Sequence, residues 1–261
     1  MRIALGLEYA GGSYTGWQSQ RDGRGLQDAL ERALASIADA PVRTIAAGRT
    51  DTGVHATMQL VHFDTDATRP DTAWVRGVNA KLPSDVAVLW SRPVAGEFHA
   101  RYAATARHYT YLLANRSVRP ALLAGRAGWY HRPLDVAAMS EAARALVGTH
   151  DFSAFRAAEC QARSPSRNLT EVAIDVDGGL IRFDFCANAF LHHMIRNIVG
   201  ALVCVGSGRE PTAWIAELLA GRDRTRAAPT FAPDGLYFTG ADYDAAWGLP
   251  PTRRPVVLPG A

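Results

Sequence analysis

Apolar and polar residues alternate from the start of the chain. Ile3, Leu5, Leu7 and Tyr9 share one side of a two-residue period, which predicts a strand over residues 2 to 9. Comparable patterns predict strands near residues 42 to 47, 58 to 63, 86 to 91, 107 to 113, 171 to 176, 180 to 186 and 236 to 243. Between them the period changes. Leu26, Leu30, Ala33, Leu34 and Ile37 form a stripe at helical spacing, as do Val136, Met139, Ala143 and Leu146. A third stripe runs through Leu191, Met194, Ile195, Ile198, Leu202 and Val205. Pro211 opens a fourth helix at a position where its missing N–H is tolerated, and the stripe continues through Trp214, Ile215 and Leu218.

The order strand, helix, strands, helix, strand occurs roughly twice. It predicts an α+β chain of two similar halves, with helices packed on antiparallel sheets. The division is expected near residues 100 to 106, giving one half over 1–104 and another over 105–248. Residues 249–261 are proline-rich and without periodicity, and read as a loosely attached tail.

At 261 residues and 48% apolar content the chain can bury a sizeable core. No apolar stretch is long enough to span a membrane, and the opening strand leaves no room for a removable leader, so a cytoplasmic protein is expected. Cys160, Cys186 and Cys204 are odd in number and form no C-x-x-C pair, so they read as small buried apolar groups. The net charge of +3 says little about partners, but its distribution says more. Residues 98 to 134 hold no carboxylate, while Arg101, Arg107, Arg116, Arg119, Arg126 and Arg132 all fall there. Tyr102, Tyr109, Tyr111, Trp129 and Tyr130 are interleaved with them. Guanidinium groups grip phosphates and flat rings stack bases, so this composition suits a surface that holds RNA. A bias of the genome towards arginine codons accounts for the scarcity of lysine but not for the missing carboxylates.

One loop concentrates the candidate chemistry: Ala46-Ala47-Gly48-Arg49-Thr50-Asp51-Thr52-Gly53-Val54-His55-Ala56. Gly48 and Gly53 allow the backbone to turn at both ends, and a guanidinium and a carboxylate lie two residues apart at the tip. A short carboxylate in Thr-Asp-Thr-Gly is also good turn chemistry, so in isolation the string reads as a structural turn. Other candidates are weaker. Gly11 to Gly16 is glycine-rich, yet no Gly-Lys-Ser/Thr follows, so it is not a phosphate-binding P-loop. His192 and His193 are adjacent and expected on different faces of a helix, where zinc ligands would prefer i,i+4 spacing, so no metal is expected. His55 and His62 read equally well as RNA contacts or as packing.

The loop is one of several segments that resemble the tRNA pseudouridine synthase A family in the family's own order. They are Gly16-Trp17-Gln18, Arg49-Thr50-Asp51 with Gly53-Val54-His55, Phe98-His99-Ala100-Arg101, and Ala104-Thr105-Ala106-Arg107-His108-Tyr109. Asp151 to Arg156, Asn188 to Asn197 and Gly235-Leu236-Tyr237 complete the series. Two departures show: Ala10 stands where an aspartate often precedes the first glycines, and Thr52 where alanine is common.

The resemblance implies the pseudouridine synthase fold, with the two sheets joined and a central cleft between the halves. It implies isomerisation of uridine to pseudouridine at positions 38, 39 and 40 of the tRNA anticodon stem-loop by a homodimer, with no cofactor. Asp51 would be the nucleophile, at ribose C1′ or at the uracil ring. Arg196 would be the cation that keeps it ionised. By its own sequence context Arg196 is a lone charge in an apolar helix, a costly placement unless paired; a structural ion pair is the alternative. Tyr109 would stack on the target uracil and could take the C5 proton, whereas the pattern alone reads it as core. Arg49 would hold the flipped phosphate or fill the vacated space, Leu236 would wall the base pocket although periodicity alone reads it as a strand residue, and His55 and Arg107 are further substrate-binding candidates. Two other readings stay open: a pseudouridine synthase for another RNA, and a non-catalytic RNA-binding protein.

Overall fold

The computed structural model describes residues 1–257, so the last four residues of the expected tail lie outside the described part. The chain folds as two compact units, residues Met1–Arg107 with Tyr237–Val256, and residues His108–Leu236 with Val257. No helix among the described residues is long and apolar enough to cross a membrane.

In the first unit β1 (Arg2–Tyr9) is a central strand, antiparallel to β3 (His55–Asp64) on one side and to β4 (Val86–Val94) on the other. Its alternation does not mean one wet face. Ile3, Leu5 and Leu7 are buried, and so is Ala4, while the indole of Trp90 lies where a side chain at Gly6 would be. The short β2 (Thr44–Ala46) pairs antiparallel with β3 and ends at the loop singled out above. Helix α1 (Leu26–Ala38) begins after Gly25, whose N–H is held by the Asp28 carboxylate at 3.0 Å. It ends at Asp39 in the left-handed region (φ 57°). A π-helical turn, Ala73–Gly77, went unread in the sequence.

In the second unit β5 (Ala106–Asn115) adjoins β9 (Leu180–Ala187), which pairs antiparallel with β8 (Ser166–Asp177), and β8 pairs in turn with β7 (Gly148–Asp151). The short β6 (Gly128–Tyr130) runs parallel to β5. Helix α2 (Val136–Ala143) is capped by Asp135, whose carboxylate accepts the Ala138 N–H. It packs on β8 and on α3 (Met194–Gly206), and α4 (Trp214–Gly221) packs on both helices. Pro211 is one turn ahead of α4 rather than inside it, and its carbonyl accepts the Trp214 N–H.

The last strand, β10 (Leu236–Asp242), pairs parallel with β3, Tyr237 opposite His55 and Phe238 opposite Ala56. That ladder draws the chain after residue 236 into the first unit, although it follows the second unit in sequence. The stretch after it, expected to hang loosely, is attached at Arg253 and Arg254. Arg253 bridges to Gly240, the Arg254 carbonyl accepts the Thr57 hydroxyl at 2.6 Å, and the Arg254 guanidinium pairs with Glu8 at 2.5 Å. The sheets are α+β and mainly antiparallel, as the strand pattern predicts, with the β3–β10 and β5–β6 ladders as parallel exceptions.

Candidate active site

The loop from Ala47 to Val54 connects β2 to β3 and is fastened along its whole length. The Ala47 N–H donates to Leu60 O at 2.8 Å and the Gln59 side-chain amide donates to Gly48 O at 2.7 Å. Thr50 points inward: its hydroxyl is 2.8 Å from the Tyr9 hydroxyl, and its carbonyl accepts the Trp17 N–H at 2.9 Å. Burial pushes the Tyr9 phenol up to about 12, so it stays a neutral hydrogen-bonding group. The Val54 N–H closes a turn onto Asp51 O at 3.1 Å, and Gly53 has the positive φ, 81°, that the turn requires. Gly48 is not among the positive-φ glycines of the described residues, so only one of the two expected turns uses a glycine's freedom. Gly16, at φ 98°, lets the preceding segment lie against the loop; a Cβ there would sit 2.9 Å from Thr50 O.

This arrangement decides which way each side chain faces. Thr50 is buried, Arg49 and Thr52 are exposed, and Asp51 is half-buried. His55, 1% exposed, accepts the Gly11 N–H through Nδ1 at 3.1 Å and stacks on Tyr237 at 4.7 Å. It is an internal strut of the loop's exit, not an accessible contact. Arg107 is spent largely on backbone carbonyls. Its Nη1 donates to Ala104 O at 2.9 Å, while Nη2 reaches Ala47 O at 3.4 Å and also Arg101 O. It thereby ties the entrance of the Asp51 loop to the Phe98–Tyr102 segment.

The second unit places the other candidates. Tyr109 on β5 is 8% exposed and meets Phe190 edge-on, with centroids 5.1 Å apart. Tyr111, two residues on, is core: it is fully buried, donates its hydroxyl to Ala232 O at 2.9 Å, and packs against Phe231 and Phe183. Arg196 lies in the first turn of α3, half-buried, and its Nε donates to Phe231 O at 2.8 Å while the Phe231 N–H donates to Arg196 O at 3.2 Å. Asn197 beside it is wholly buried. Its amide donates to Phe155 O, and its oxygen accepts the Thr230 hydroxyl at 2.7 Å and Arg224 Nη2 at 3.0 Å. Leu236 is buried at the start of β10, and Gly235 before it admits no side chain, since a Cβ would lie 2.2 Å from Leu112 O.

Two expectations change. His192 and His193 are not on opposite faces of a helix. The helix begins at Met194, His193 caps it in the left-handed region (φ 61°), and the two rings lie 4.0 Å apart. Cys186 and Cys204 are buried as expected, but Cys160 is only partly so. Burial pushes the Cys160 thiol up, yet the N–H groups of Ala162 and His192 together with Arg156 outweigh it and hold the pKa below the usual thiol value.

With these positions in hand, the chain can be set beside known proteins. The family model described as tRNA pseudouridine synthase matches residues 7–103 and 142–244, three quarters of the sequence. The chain belongs to the tRNA pseudouridine synthase family. Curated relatives named tRNA pseudouridine synthase A resemble it over nearly their whole length. That of Methylobacillus flagellatus is 58% identical over 254 residues, covering 97% of each chain. That of Aromatoleum aromaticum is 58% identical over 259 residues, 99% of this chain and 98% of the relative. That of Thiobacillus denitrificans is 59% identical over 250 residues, 96% of each. The family converts uridine to pseudouridine in tRNA, which makes its members isomerases. The first match ends just before the Ala104–Tyr109 segment and includes the Asp51 loop; the second includes α3 with Arg196 and closes beyond Leu236.

The struts of the loop, Tyr9, Gln59 and Gly11, were not singled out from the sequence. Their partners are 41, 11 and 44 residues away, and the two-residue period that puts Tyr9 on a strand face says nothing of the bond it makes. Asn197, Arg224 and Thr230 were missed for the same reason.

Proposed function

We propose that this chain isomerises uridine to pseudouridine at positions 38, 39 and 40 of the tRNA anticodon stem-loop, with Asp51 as the nucleophile. The reaction breaks the bond from ribose C1′ to uracil N1 and forms one from C1′ to C5; N1 gains a proton as C5 loses one. Atoms and electrons balance within the substrate, so no oxidant or reductant enters. The observation that carries the reading is the Asp51 loop itself: a half-buried carboxylate on a backbone fastened at Ala47, Gly48, Thr50 and Val54, beside an outward Arg49. Such fixing supports a group that must meet one atom of a flipped nucleotide.

The remaining roles rest on the family resemblance, and each suits the chemistry of its side chain. Arg196 supplies the positive charge that keeps Asp51 ionised, and its planar fork suits a carboxylate. Tyr109 stacks on the target uracil. Leu236 gives the pocket an apolar wall, and Arg49 holds the phosphate of the flipped nucleotide. Arg107 and His55 act behind the site, one by tying Ala47 and the other by holding Gly11. The protein would work as a homodimer in the cytoplasm.

The test is incubation of unmodified tRNA transcripts with the purified protein, followed by site-by-site mapping of the product. Pseudouridine at the three anticodon-arm positions is expected. Asp51→Asn should bind the same transcript and form no product, a loss of at least about 10³-fold for a missing nucleophile. Product at other positions would make the chain a synthase for a different RNA site; binding without product in the wild type would leave only an RNA-binding protein.

A further inference from the structure

The segment from Gly96 to Ala104 is anchored from every side, yet it lifts one aromatic ring into solvent. Arg2 donates from Nη1 to Phe98 O at 2.8 Å and also to Gly96 O. Phe98 is wholly buried against Tyr243 and Trp247. Ala100 gives its N–H to His62 Nδ1 at 3.1 Å and takes the Tyr243 hydroxyl on its carbonyl at 2.6 Å. Arg107 holds the carbonyls of Arg101 and Ala104. His99 folds back so that Nδ1 accepts the N–H groups of Arg101 and Tyr102 at 3.3 and 3.2 Å. At the tip of this braced loop Tyr102 is 76% exposed. Its ring stacks on His99 with centroids 4.3 Å apart and planes 26° from parallel, and His99 in turn contacts buried His62 at 4.9 Å.

A single exposed tyrosine is ordinary on a protein surface. This one differs in its support. Its ring is backed by a second ring, its backbone segment is held by at least six hydrogen bonds, and the Arg101 guanidinium lies over it at 5.7 Å from the centroid. A flat ring on a braced segment, with a mobile-stemmed cation over it, fits a nucleotide: as the guanidinium swings to the phosphate, it leaves the ring to the base. Its place points the same way. One nitrogen of Arg107 binds both Arg101 O and Ala47 O, so those carbonyls lie within roughly 6 Å of each other. Asp51 is four residues beyond Ala47, at most about 14 Å of extended chain.

We propose that Tyr102, stacked on His99 and paired with Arg101, is a second nucleobase platform, which binds a base of the same RNA strand near the target uridine. It rests on the reading of the chain as a tRNA-modifying enzyme and adds to it a named contact outside the uridine pocket.

The experiment measures affinity for a fluorescent anticodon stem-loop RNA by anisotropy, and KM and kcat on the full transcript, for wild type, Tyr102→Ala and Tyr102→Trp. Loss of a stacked base should weaken binding roughly 5- to 100-fold in Tyr102→Ala, raising KM by a similar factor at little cost to kcat. Tyr102→Trp should restore it, since every aromatic face can stack. A series of RNAs with one abasic nucleotide near the target should contain one position whose removal weakens wild type but not Tyr102→Ala. Unchanged affinity in Tyr102→Ala, equal losses at every abasic position, or a change in sedimentation in place of RNA affinity would overturn the proposal. Binding is read apart from turnover, so absence of product with wild-type protein would count against the isomerase reading and leave the platform separately tested.

Discussion

His62 is held by geometry in the form that binds no proton. Its Nδ1 accepts the Ala100 N–H, its ring is 2% exposed, and burial pushes its pKa down to about 4, with Arg2 and His99 adding repulsion and Asp64 opposing. In the unfolded chain the same imidazole takes up a proton near pH 6.5. Its contribution to stability is therefore complete above about pH 6.5 and is lost as the pH falls from there towards 4, with a slope of at most about 1.4 kcal/mol per pH unit. Asp64, held down by its hydrogen bond to Arg2, loses its contribution only at lower pH, in the carboxylate range. Denaturant midpoints measured at pH 7 and pH 5 should converge less in wild type than in His62→Asn, whose side chain still offers an acceptor to Ala100 but cannot titrate. Equal pH dependence in the two proteins would show that His62 is not the group responsible. Nothing in the alternation of β3 marks this histidine. A buried imidazole and a buried leucine occupy the same place in an apolar pattern, and only the partner 38 residues away tells them apart.

At the scale of elements, the apolar stripes located every long helix, and their ends were set by something else. The stripe of α3 extends back to Leu191, but the left-handed His193 stops the helix at Met194. Strand β8 is nearly twice as long as its apolar stretch because its exposed residues are fixed by ladders to β7 and β9 and not by their own polarity. Helix α3 also carries the buried Asn197, which joins three segments: Phe155 through its amide, Thr230 and Arg224 through its oxygen. Arg224 spends a further N–H on Ala228 O, so the turn that presents Phe231 O to Arg196 is held by this one cluster. Asn197→Ala should leave the Phe155 carbonyl and a partly buried guanidinium without their partner, at a cost of about 2–4 kcal/mol. The melting temperature should fall by several degrees, at roughly 2–4 °C per kcal/mol for a protein of this size. Calorimetry showing a change under one degree would mean that water replaces the amide without loss.

Over the whole molecule, order in sequence and order in space part company where β10 returns to pair with β3 and carries residues up to Val256 into the first unit. The apolar run of that strand was legible; its partner was not, because a parallel ladder leaves no turn between neighbours to read. Charge behaves differently, since it is set by composition and survives any error of topology. Within the stretch free of carboxylates, Arg101, Arg116, Arg119, Arg126 and Arg132 are exposed, whereas Arg107 is turned to backbone carbonyls. Not every exposed guanidinium is available: Arg116 gives its Nε to Val118 O at 2.8 Å. If the outward arginines meet phosphates, RNA affinity should fall with salt by a slope of about −0.7 to −0.9 in log–log terms for each phosphate neutralised. Arg119→Ala combined with Arg132→Ala should then make the slope shallower by roughly 1.4–1.8 while weakening all RNA sequences alike. Filter binding between 50 and 300 mM salt measures it. A double variant with the wild-type slope would place the RNA on another face and leave the arginine-rich stretch as a solvated surface.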